Sequence, residues 1–181
     1  MTKLLVSIDP GYKDCGVAIF RGGELDHCHH VVCKTTGMVE AIQFTETARC
    51  VVDYVMNTID CSTFDLIIEY PQQYARSPAP RESVQRLVGV VGSLVSQFQS
   101  KTGGLGLRVT TYKPREWKGQ VPKDVMFRRI TSKLSGDEID RIPPLSRTRL
   151  SHVYDAVGIG LYHLGRLGAG TSEKTMSSSL G

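Results

Sequence analysis

The first 33 residues contain three strand-length apolar segments separated by two short turns, and this arrangement restricts the fold more than any other feature. The first segment, Leu4 to Ile8, is predominantly apolar and ends at Asp9-Pro10-Gly11, which is typical of a buried central strand followed by a tight turn. Gly16 to Phe20 predicts a second strand, and Gly22-Gly23 predicts a hairpin turn into a third, about Leu25 to Cys33. The chain is therefore expected to begin with a three-stranded meander.

Beyond this meander, stretches with helical periodicity alternate with strand-like stretches. The order is three strands, then helix, strand, helix, strand and two helices, and it predicts an α/β fold with a mixed five-stranded sheet flanked by helices. Residues 135–149 are polar and contain prolines, so a loop is expected there. The predicted strands are about Asp65 to Glu69 and Leu107 to Tyr112, and the predicted helices are about Gly37 to Ile59, Ser83 to Gln99, Lys123 to Leu134 and Ser151 to Leu167, with Thr36 and Ser151 as candidate N-caps.

Length and composition set the scale of the domain. With 181 residues and 40% hydrophobic content, the chain has enough apolar side chains for one core. We expect one domain over residues 1–168 and a flexible Gly/Ser/Thr-rich tail over residues 169–181. No stretch approaches about 18 consecutive apolar residues, the first apolar run is too short for a signal peptide, and five irregularly spaced cysteines favour reduced thiols. These features predict a cytoplasmic protein without a membrane span.

Three carboxylates lie where sheets of this kind form ligand sites. Asp9 follows the first strand, Glu69 ends the fourth, and Asp155 lies one turn inside the last predicted helix. Taken singly, they have ordinary explanations: a turn residue, a solvent-facing strand end and a partner for the helix dipole. Gathered together, they would repel one another unless a hard cation joined them, and oxygen ligands suit Mg²⁺ or Mn²⁺. His152 shares a helix face with Asp155 at i and i+3, so it either joins the same site or faces solvent near a cap.

Five short motifs occur in an order and at spacings that are shared with a known family. They are S-I-D-P-G-x(4)-G-V-A-I-F (Ser7 to Phe20), D-L-I-I-E (Asp65 to Glu69), P-x-x-W-K (Pro114 to Lys118), Pro122-Lys123 and H-x-x-D-A-x-G-I-G (His152 to Gly160). Over about residues 4–165, the chain resembles the RuvC family of Holliday junction resolvases, which belongs to the RNase H-like superfamily.

The resemblance implies an RNase H-like fold, a two-metal nuclease site and the cytoplasm of a bacterial or phage-infected cell. By the family's pattern, Asp9 would bridge two Mg²⁺ ions, Glu69 would bind one and Asp155 the other, and Mn²⁺ would substitute. His152 stands where the family carries a carboxylate or a histidine, as a metal ligand or proton handler. Lys118 and Lys123 match family lysines near the scissile phosphate. The implied chemistry is phosphodiester hydrolysis that leaves a 5′-phosphate.

Positive charge is concentrated in residues 101–149. This stretch holds twelve Lys and Arg residues and five Asp and Glu residues, so its net charge is +7. Because the whole chain has a net charge of +4, the rest of the chain has a net charge of −3. A basic surface beside an acidic site suits a nuclease, because cations hold phosphates while carboxylates hold metals; an ordinary solvated face is the alternative. Tyr74 offers a stacking surface for an unpaired base, in a register that departs from the family's. The candidate DNA-binding residues are Tyr74, Arg76, Arg81, Lys113, Arg115, Lys118 and Lys123.

Two further features have ordinary explanations. The run from His27 to His30, together with Cys33, lies on a predicted strand whose neighbours alternate faces, which disfavours a zinc site. Trp117 is either an anchor in the core or a base-stacking side chain.

The leading hypothesis is a metal-dependent, structure-selective endonuclease that resolves four-way DNA junctions. Paired symmetric cuts need two active sites related by a two-fold axis, which predicts a homodimer. Gly89 and Gly92 weaken the second helix and indicate either close packing against a neighbour or a dimer contact. The alternatives are a broader branched-DNA or RNase H-like nuclease and a catalytically silent junction-binding protein. An actin-like ATPase is disfavoured because the chain is too short for two lobes, so no nucleotide cofactor is expected.

Overall fold

Five strands form one mixed sheet at the centre of the fold. The computed structural model describes residues 3–60, 63–72, 81–104 and 106–168, and this part of the chain contains the strands β1 (Leu4–Asp9), β2 (Asp14–Arg21), β3 (Glu24–Val32), β4 (Phe64–Glu69) and β5 (Leu107–Tyr112). Their order in the sheet is β3-β2-β1-β4-β5. The first three strands pair antiparallel, whereas β4 pairs parallel with both β1 and β5. The predicted fold class, with its N-terminal meander, is confirmed.

Helices cover both faces of this sheet. They are α1 (Glu40–Thr58), α2 (Arg81–Thr102), α3 (Pro114–Trp117), α4 (Lys123–Thr131), α5 (Gly136–Asp140) and α6 (Arg147–His163). One apolar cluster joins α1 and α2 to the face that carries Val6, Ile8 and Leu66. The other joins α4, α6 and Trp117 to the face that carries Leu5 and Ile67. Successive strand residues point to opposite faces, and this alternation produces two apolar layers from continuous apolar strands.

Two predicted helix starts and one predicted loop were wrong. Helix α1 begins after Val39 rather than at Thr36, and α6 begins after Ser146 rather than at Ser151. The predicted loop over residues 135–149 contains α5, which a capping box starts: Ser135 Oγ accepts from the Glu138 N–H, and the Glu138 carboxylate accepts from the Ser135 N–H at 2.8 Å. The sequence favours a loop over this segment because it contains two prolines and several charged residues, and the capping box spans only four residues.

Helix α6 lies directly on the sheet because two glycines leave room for it. A Cβ atom at Gly16 of β2 would overlap the carbonyl oxygen of His152, and one at Gly160 would overlap the ring of Phe20. The absence of these side chains lets the α6 backbone approach β1 and β2 closely. The approach brings the His152 to Asp155 turn of α6 over the end of β1.

Within the described ranges, no helix is long and apolar enough to cross a bilayer. The predicted tail, residues 169–181, lies outside these ranges, and the domain boundary at residue 168 stays a prediction.

Candidate active site

Two carboxylates lie at the ends of neighbouring parallel strands. Asp9 is the last residue of β1, and Glu69 is the last residue of β4, which pairs with it. Both side chains lie on the face of the sheet that α6 covers, because residues two apart on a strand share a face. Ile67, two residues before Glu69, packs in the α6 cluster. Ser7, two residues before Asp9, donates a 2.7 Å hydrogen bond from Oγ to a backbone carbonyl of α6. Asp9 is 7% exposed. The strand alternation therefore buries both carboxylates under one helix.

Helix α6 adds a histidine and a third carboxylate. His152 Nδ1 donates a 2.7 Å hydrogen bond to Oδ2 of Asp9, so the predicted meeting of His152 with this site is observed. Asp155 lies one turn further along, in the third turn of a helix that begins at Arg147. The helix-dipole explanation for Asp155 is therefore wrong, because the dipole acts mainly within the first turn.

The segment after β5 supplies a lysine and a tryptophan. Lys118 Nζ lies 3.2 Å from Oε2 of Glu69 and 3.3 Å from Oδ2 of Asp155, and its ammonium bridges the two carboxylates. Trp117, which is fully buried, donates a 2.8 Å hydrogen bond from Nε1 to the same Oε2 of Glu69. Trp117 is thus a core anchor, as the first of the two alternatives predicted, and it also fixes the Glu69 carboxylate.

Burial and mutual repulsion dominate the electrostatics of the carboxylates. Burial, followed by the charge of Asp9, raises the pKa of Glu69 to about 7, although Lys118 and the Trp117 hydrogen bond oppose the change. Burial and the charge of Asp9 also raise the pKa of Asp155, again against the effect of Lys118. The site therefore carries more negative charge than its one buried lysine neutralises.

The negative charge of the carboxylates also raises the pKa values of the two basic groups in the site. The hydrogen bond to Asp9 raises the pKa of His152 more than burial lowers it, which favours a protonated imidazole. Burial works against the charge of Lys118, but the Glu69 and Asp155 carboxylates outweigh it and raise the pKa of this lysine. In both cases the neighbouring carboxylates favour the charged form of the group.

As placed, the side chains do not form a metal cage. Among residues 3–60, 63–72, 81–104 and 106–168, no group of three or more His, Cys, Asp or Glu side chains is arranged to hold a metal ion. The ammonium of Lys118 takes the position between Glu69 and Asp155.

Solved structures resemble this arrangement of elements. No protein-family model and no curated protein matches the sequence of this chain. Two structures of RuvC from Thermus thermophilus each match 92% of this chain. The one in complex with a Holliday junction substrate is 16% identical in sequence, is covered over 98% of its own chain and has a TM-score of 0.55. The other is 14% identical, is covered over 99% of its own chain and has a TM-score of 0.56. The yeast mitochondrial Holliday junction resolvase matches 90% of this chain and 79% of its own, at 11% identity and a TM-score of 0.58. The chain has the RNase H-like fold of RuvC.

On this fold, the sequence analysis missed a second histidine–carboxylate pair beside the site. The ring of His30 stacks on the ring of His152 with centroids 5.7 Å apart, and its Nε2 lies 3.1 Å from Oδ2 of Asp14. His30 is buried opposite Gly16 in the β2–β3 register. The alternation of side chains along β3 could have predicted this position, because it places His30 and His29 on opposite faces of the sheet. The ring of His29 stacks on Tyr54 on the other face, with centroids 4.9 Å apart.

The candidate DNA-binding residues have different positions. Arg81 is exposed at the start of α2, Lys113 and Arg115 are exposed around α3, and Lys123 is exposed at the start of α4, where its charge acts on Asp155. Lys118 is instead turned inward to the carboxylates. Tyr74 and Arg76 lie outside the described residues.

Proposed function

We propose that this chain is a metal-dependent, structure-selective DNA endonuclease that resolves four-way junctions by paired symmetric nicks, leaving 5′-phosphates. The observation that carries the proposal is the gathering of Asp9, Glu69 and Asp155 under α6 at one edge of an RNase H-like sheet. Structural likeness to two Holliday junction resolvases and the five sequence motifs support four-way junctions as the substrate.

The donor set fits hard divalent cations. Asp9, Glu69 and Asp155 offer carboxylate oxygens, which suit Mg²⁺ and Mn²⁺, and His152 adds a nitrogen ligand. A bound cation would relieve the repulsion that raises the pKa values of Glu69 and Asp155. We propose that these four residues hold two Mg²⁺ ions, with Mn²⁺ as a substitute. When bound, the ions supply an activated water and stabilise the leaving oxygen.

The remaining groups of the site hold its charges in place. With Nδ1 bonded to Asp9 at 2.7 Å, a neutral His152 would offer Nε2 to a metal ion, whereas a protonated His152 would instead be a candidate proton donor. The indole of Trp117 fixes one oxygen of Glu69. Lys118 and Lys123 supply positive charge beside the carboxylates, where the developing charge on a phosphate would be stabilised.

DNA would lie against the basic segment that adjoins this site. Lys113, Arg115 and Lys123 are exposed on the segment that surrounds Lys118, and exposed cations of this kind contact phosphates. Arg81 stands at the start of α2, after the segment that carries Tyr74 and Arg76. We assign phosphate contacts to the basic residues and base stacking at the junction to Tyr74.

Two copies of the chain would act together, because two opposing strands must be cut. We propose α2 as the contact. Gly89 is accounted for by packing, since a Cβ there would lie 2.6 Å from the Phe44 ring, but a Cβ at Gly92 would meet nothing within 4 Å. Gly92 and the exposed Val88 therefore leave an open, partly apolar surface on α2 that suits a second copy.

Nicking of a labelled, immobile four-way DNA junction in Mg²⁺ tests the proposal. Wild type is expected to make paired symmetric nicks, and Asp9→Asn or EDTA is expected to abolish them. Asp124→Asn removes an exposed carboxylate of α4 and is the matched control that retains nicking. A linear duplex should stay intact. Equal cutting of the duplex would remove the resolvase assignment and leave the metal-dependent chemistry standing. Relative cleavage rates on forks, flaps and RNA-containing duplexes would separate a broader branched-DNA or RNase H-like nuclease from a resolvase.

A second candidate function, a catalytically silent junction-binding protein, is favoured by one observation. Lys118 already neutralises part of the charge of Glu69 and Asp155, and no three donors among the described side chains surround an ion as they stand. Junction binding without nicking in either Mg²⁺ or Mn²⁺ would select this function.

A further inference from the structure

The ammonium group of Lys118 lies where two carboxylates face each other. Its Nζ donates to Glu69 at 3.2 Å and to Asp155 at 3.3 Å, and its side chain is 25% exposed. The backbone around it is fixed, because the Lys118 N–H bonds to the carbonyl of Pro114 at 3.0 Å and the neighbouring Trp117 is buried. The lysine is thus a built part of the site and not a surface side chain resting on it.

This lysine performs the electrostatic task that a metal ion would perform. Glu69 and Asp155 are mostly buried, with side chains 14% and 20% exposed. The negative charge of Asp9 repels both carboxylates. Buried like charges require a neutralising partner. A metal ion bound to Oε2 of Glu69 and Oδ2 of Asp155 would lie within a few ångströms of the ammonium on the same two atoms, so the two cations repel each other and compete for this position.

We propose that Lys118 is the internal counter-ion of the metal-free site, and that a divalent cation binds only by displacing it from Glu69 and Asp155. The inference rests on the proposed metal-dependent function and adds that the Lys118 ammonium competes with the metal ion for Glu69 and Asp155. Lys118 lowers the apparent affinity for the metal by the fraction of molecules in which its ammonium occupies the carboxylates. It also keeps the carboxylates paired when no metal is bound.

Amine labelling of the wild-type protein gives the first test. N-acetoxysuccinimide acetylates accessible lysines, and mass spectrometry of the digested protein reads the rate at each position. Mg²⁺ is expected to raise the rate at Lys118 several-fold, because displacement frees the ammonium from its two partners. Lys133, exposed after α4, is an internal control whose rate should not change. An unchanged rate at Lys118, under conditions where calorimetry detects bound Mg²⁺, overturns the inference.

Metal affinity in lysine variants gives the second test. Calorimetric titration with Mg²⁺ and Mn²⁺ at about pH 8.5, above the pKa of about 7 for Glu69, keeps the carboxylates ionised. Lys118→Met is expected to bind the metal about tenfold more tightly, which is about 1.4 kcal/mol. Lys118→Arg keeps the competing charge and should stay within about threefold of wild type, a range of about 0.7 kcal/mol.

A third variant and a folding check complete the comparison. Lys133→Met carries the same change in net charge away from the site and should bind like wild type. Circular dichroism of each variant confirms that it is folded. If Lys118→Met fails to fold, the labelling rate at Lys118 in wild type decides the inference, and a Lys118→Arg variant that binds the metal more tightly than wild type argues against competition.

The outcomes separate this inference from the proposed function. Equal or weaker metal affinity in Lys118→Met, with junction nicking intact in wild type, overturns the competition and leaves the endonuclease standing. Failure of wild type and all variants to bind either metal overturns both. Metal binding by Lys118→Met alone supports the competition and explains a silent wild-type protein.

Discussion

His152 Nδ1 lies 2.7 Å from Oδ2 of Asp9, although the two residues are 143 positions apart. The same imidazole stacks on the ring of His30, which is itself bound to Asp14. A carboxylate and a ring from the first three strands therefore hold a side chain that comes from the last helix. His30 therefore contacts the imidazole that bonds to Asp9, although it lies outside the five motifs.

Replacing His30 is expected to slow nicking without weakening DNA binding. His30→Ala removes the ring on which His152 stacks, and the freed imidazole spends less time in its productive orientation. We expect the single-turnover nicking rate to fall about tenfold or more, since small misplacements of catalytic groups have effects of about that size. Junction affinity, measured by gel shift, should stay unchanged. His30→Phe keeps an aromatic ring and should recover part of the rate.

The neighbouring histidine provides the matched control. His29 lies next to His30 on β3 but stacks on Tyr54 on the other face of the sheet. His29→Ala should retain the wild-type nicking rate. If both variants lost rate equally, the loss would belong to the stability of β3 and not to the position of His152.

Glu138 is expected to contribute strongly to folding stability. Glu138 is 2% exposed. Its carboxylate accepts hydrogen bonds from the backbone N–H groups of Leu25 at 2.7 Å and Ser135 at 2.8 Å, and from both terminal nitrogens of Arg166 at 2.7 Å. Glu138→Gln leaves Arg166 without its anion. Breaking a fully buried ion pair costs about 3–5 kcal/mol. Because the Arg166 side chain is 27% exposed, we expect a loss at or below the lower end of that range, which urea unfolding at pH 7 would measure.

This contribution should disappear in acid. The Arg166 hydrogen bonds lower the pKa of Glu138 from its ordinary 4.5 to about 2. Because its pKa is lower in the folded state, the ionised Glu138 carboxylate contributes its full stabilisation above about pH 4.5, its ordinary pKa. That stabilisation is lost as the pH falls towards about 2, the pKa in the folded protein. The difference in unfolding free energy between wild type and Glu138→Gln should therefore shrink across that window. A difference between wild type and Glu138→Gln that stayed constant from pH 7 to pH 2 would contradict the assignment.

The sheet and the carboxylates were predictable because both follow from local pattern. Continuous apolar runs and glycine turns predict the strands, and period-two alternation sends Asp9 and Glu69 to one face. The bounds of β5 were predicted at Leu107 and Tyr112, as observed. The helix carrying His152 was also predicted, although its start was placed four residues late.

The partners within the site were not predictable, because they depend on how distant elements pack. Nothing local indicates that Lys118 turns inward, since this depends on α3 bringing Trp117 into the core beneath α6. The stacking of His30 on His152 requires α6 to reach the sheet at Gly16. Such contacts join β3 to α6 across more than a hundred residues, and sequence spacing carries no information about them.

Two helical glycines should respond oppositely to alanine. A Cβ at Gly160 would overlap the ring of Phe20 and lie 2.7 Å from Ser7 Oγ, whereas one at Gly92 would meet nothing within 4 Å. Gly160→Ala should therefore destabilise the protein by about 1–3 kcal/mol through overpacking. Gly92→Ala should stabilise α2 by up to about 1 kcal/mol through helix propensity. Thermal and urea unfolding at one fixed protein concentration compare them, and equal effects would show that α6 does not press on the sheet.

The proposed dimer contact is tested on the open surface of α2. Gly92→Arg places a long cation there while raising helix propensity, so the fold should persist. Around a two-fold axis the two arginines would approach each other, and like charges disfavour the contact. Sedimentation velocity should then show a shift from dimer to monomer, and junction cutting should change from paired to single nicks. Ile139→Arg, on the exposed α5 away from α2, should remain dimeric. A wild-type protein that sediments as a monomer both alone and with junction DNA would exclude this contact.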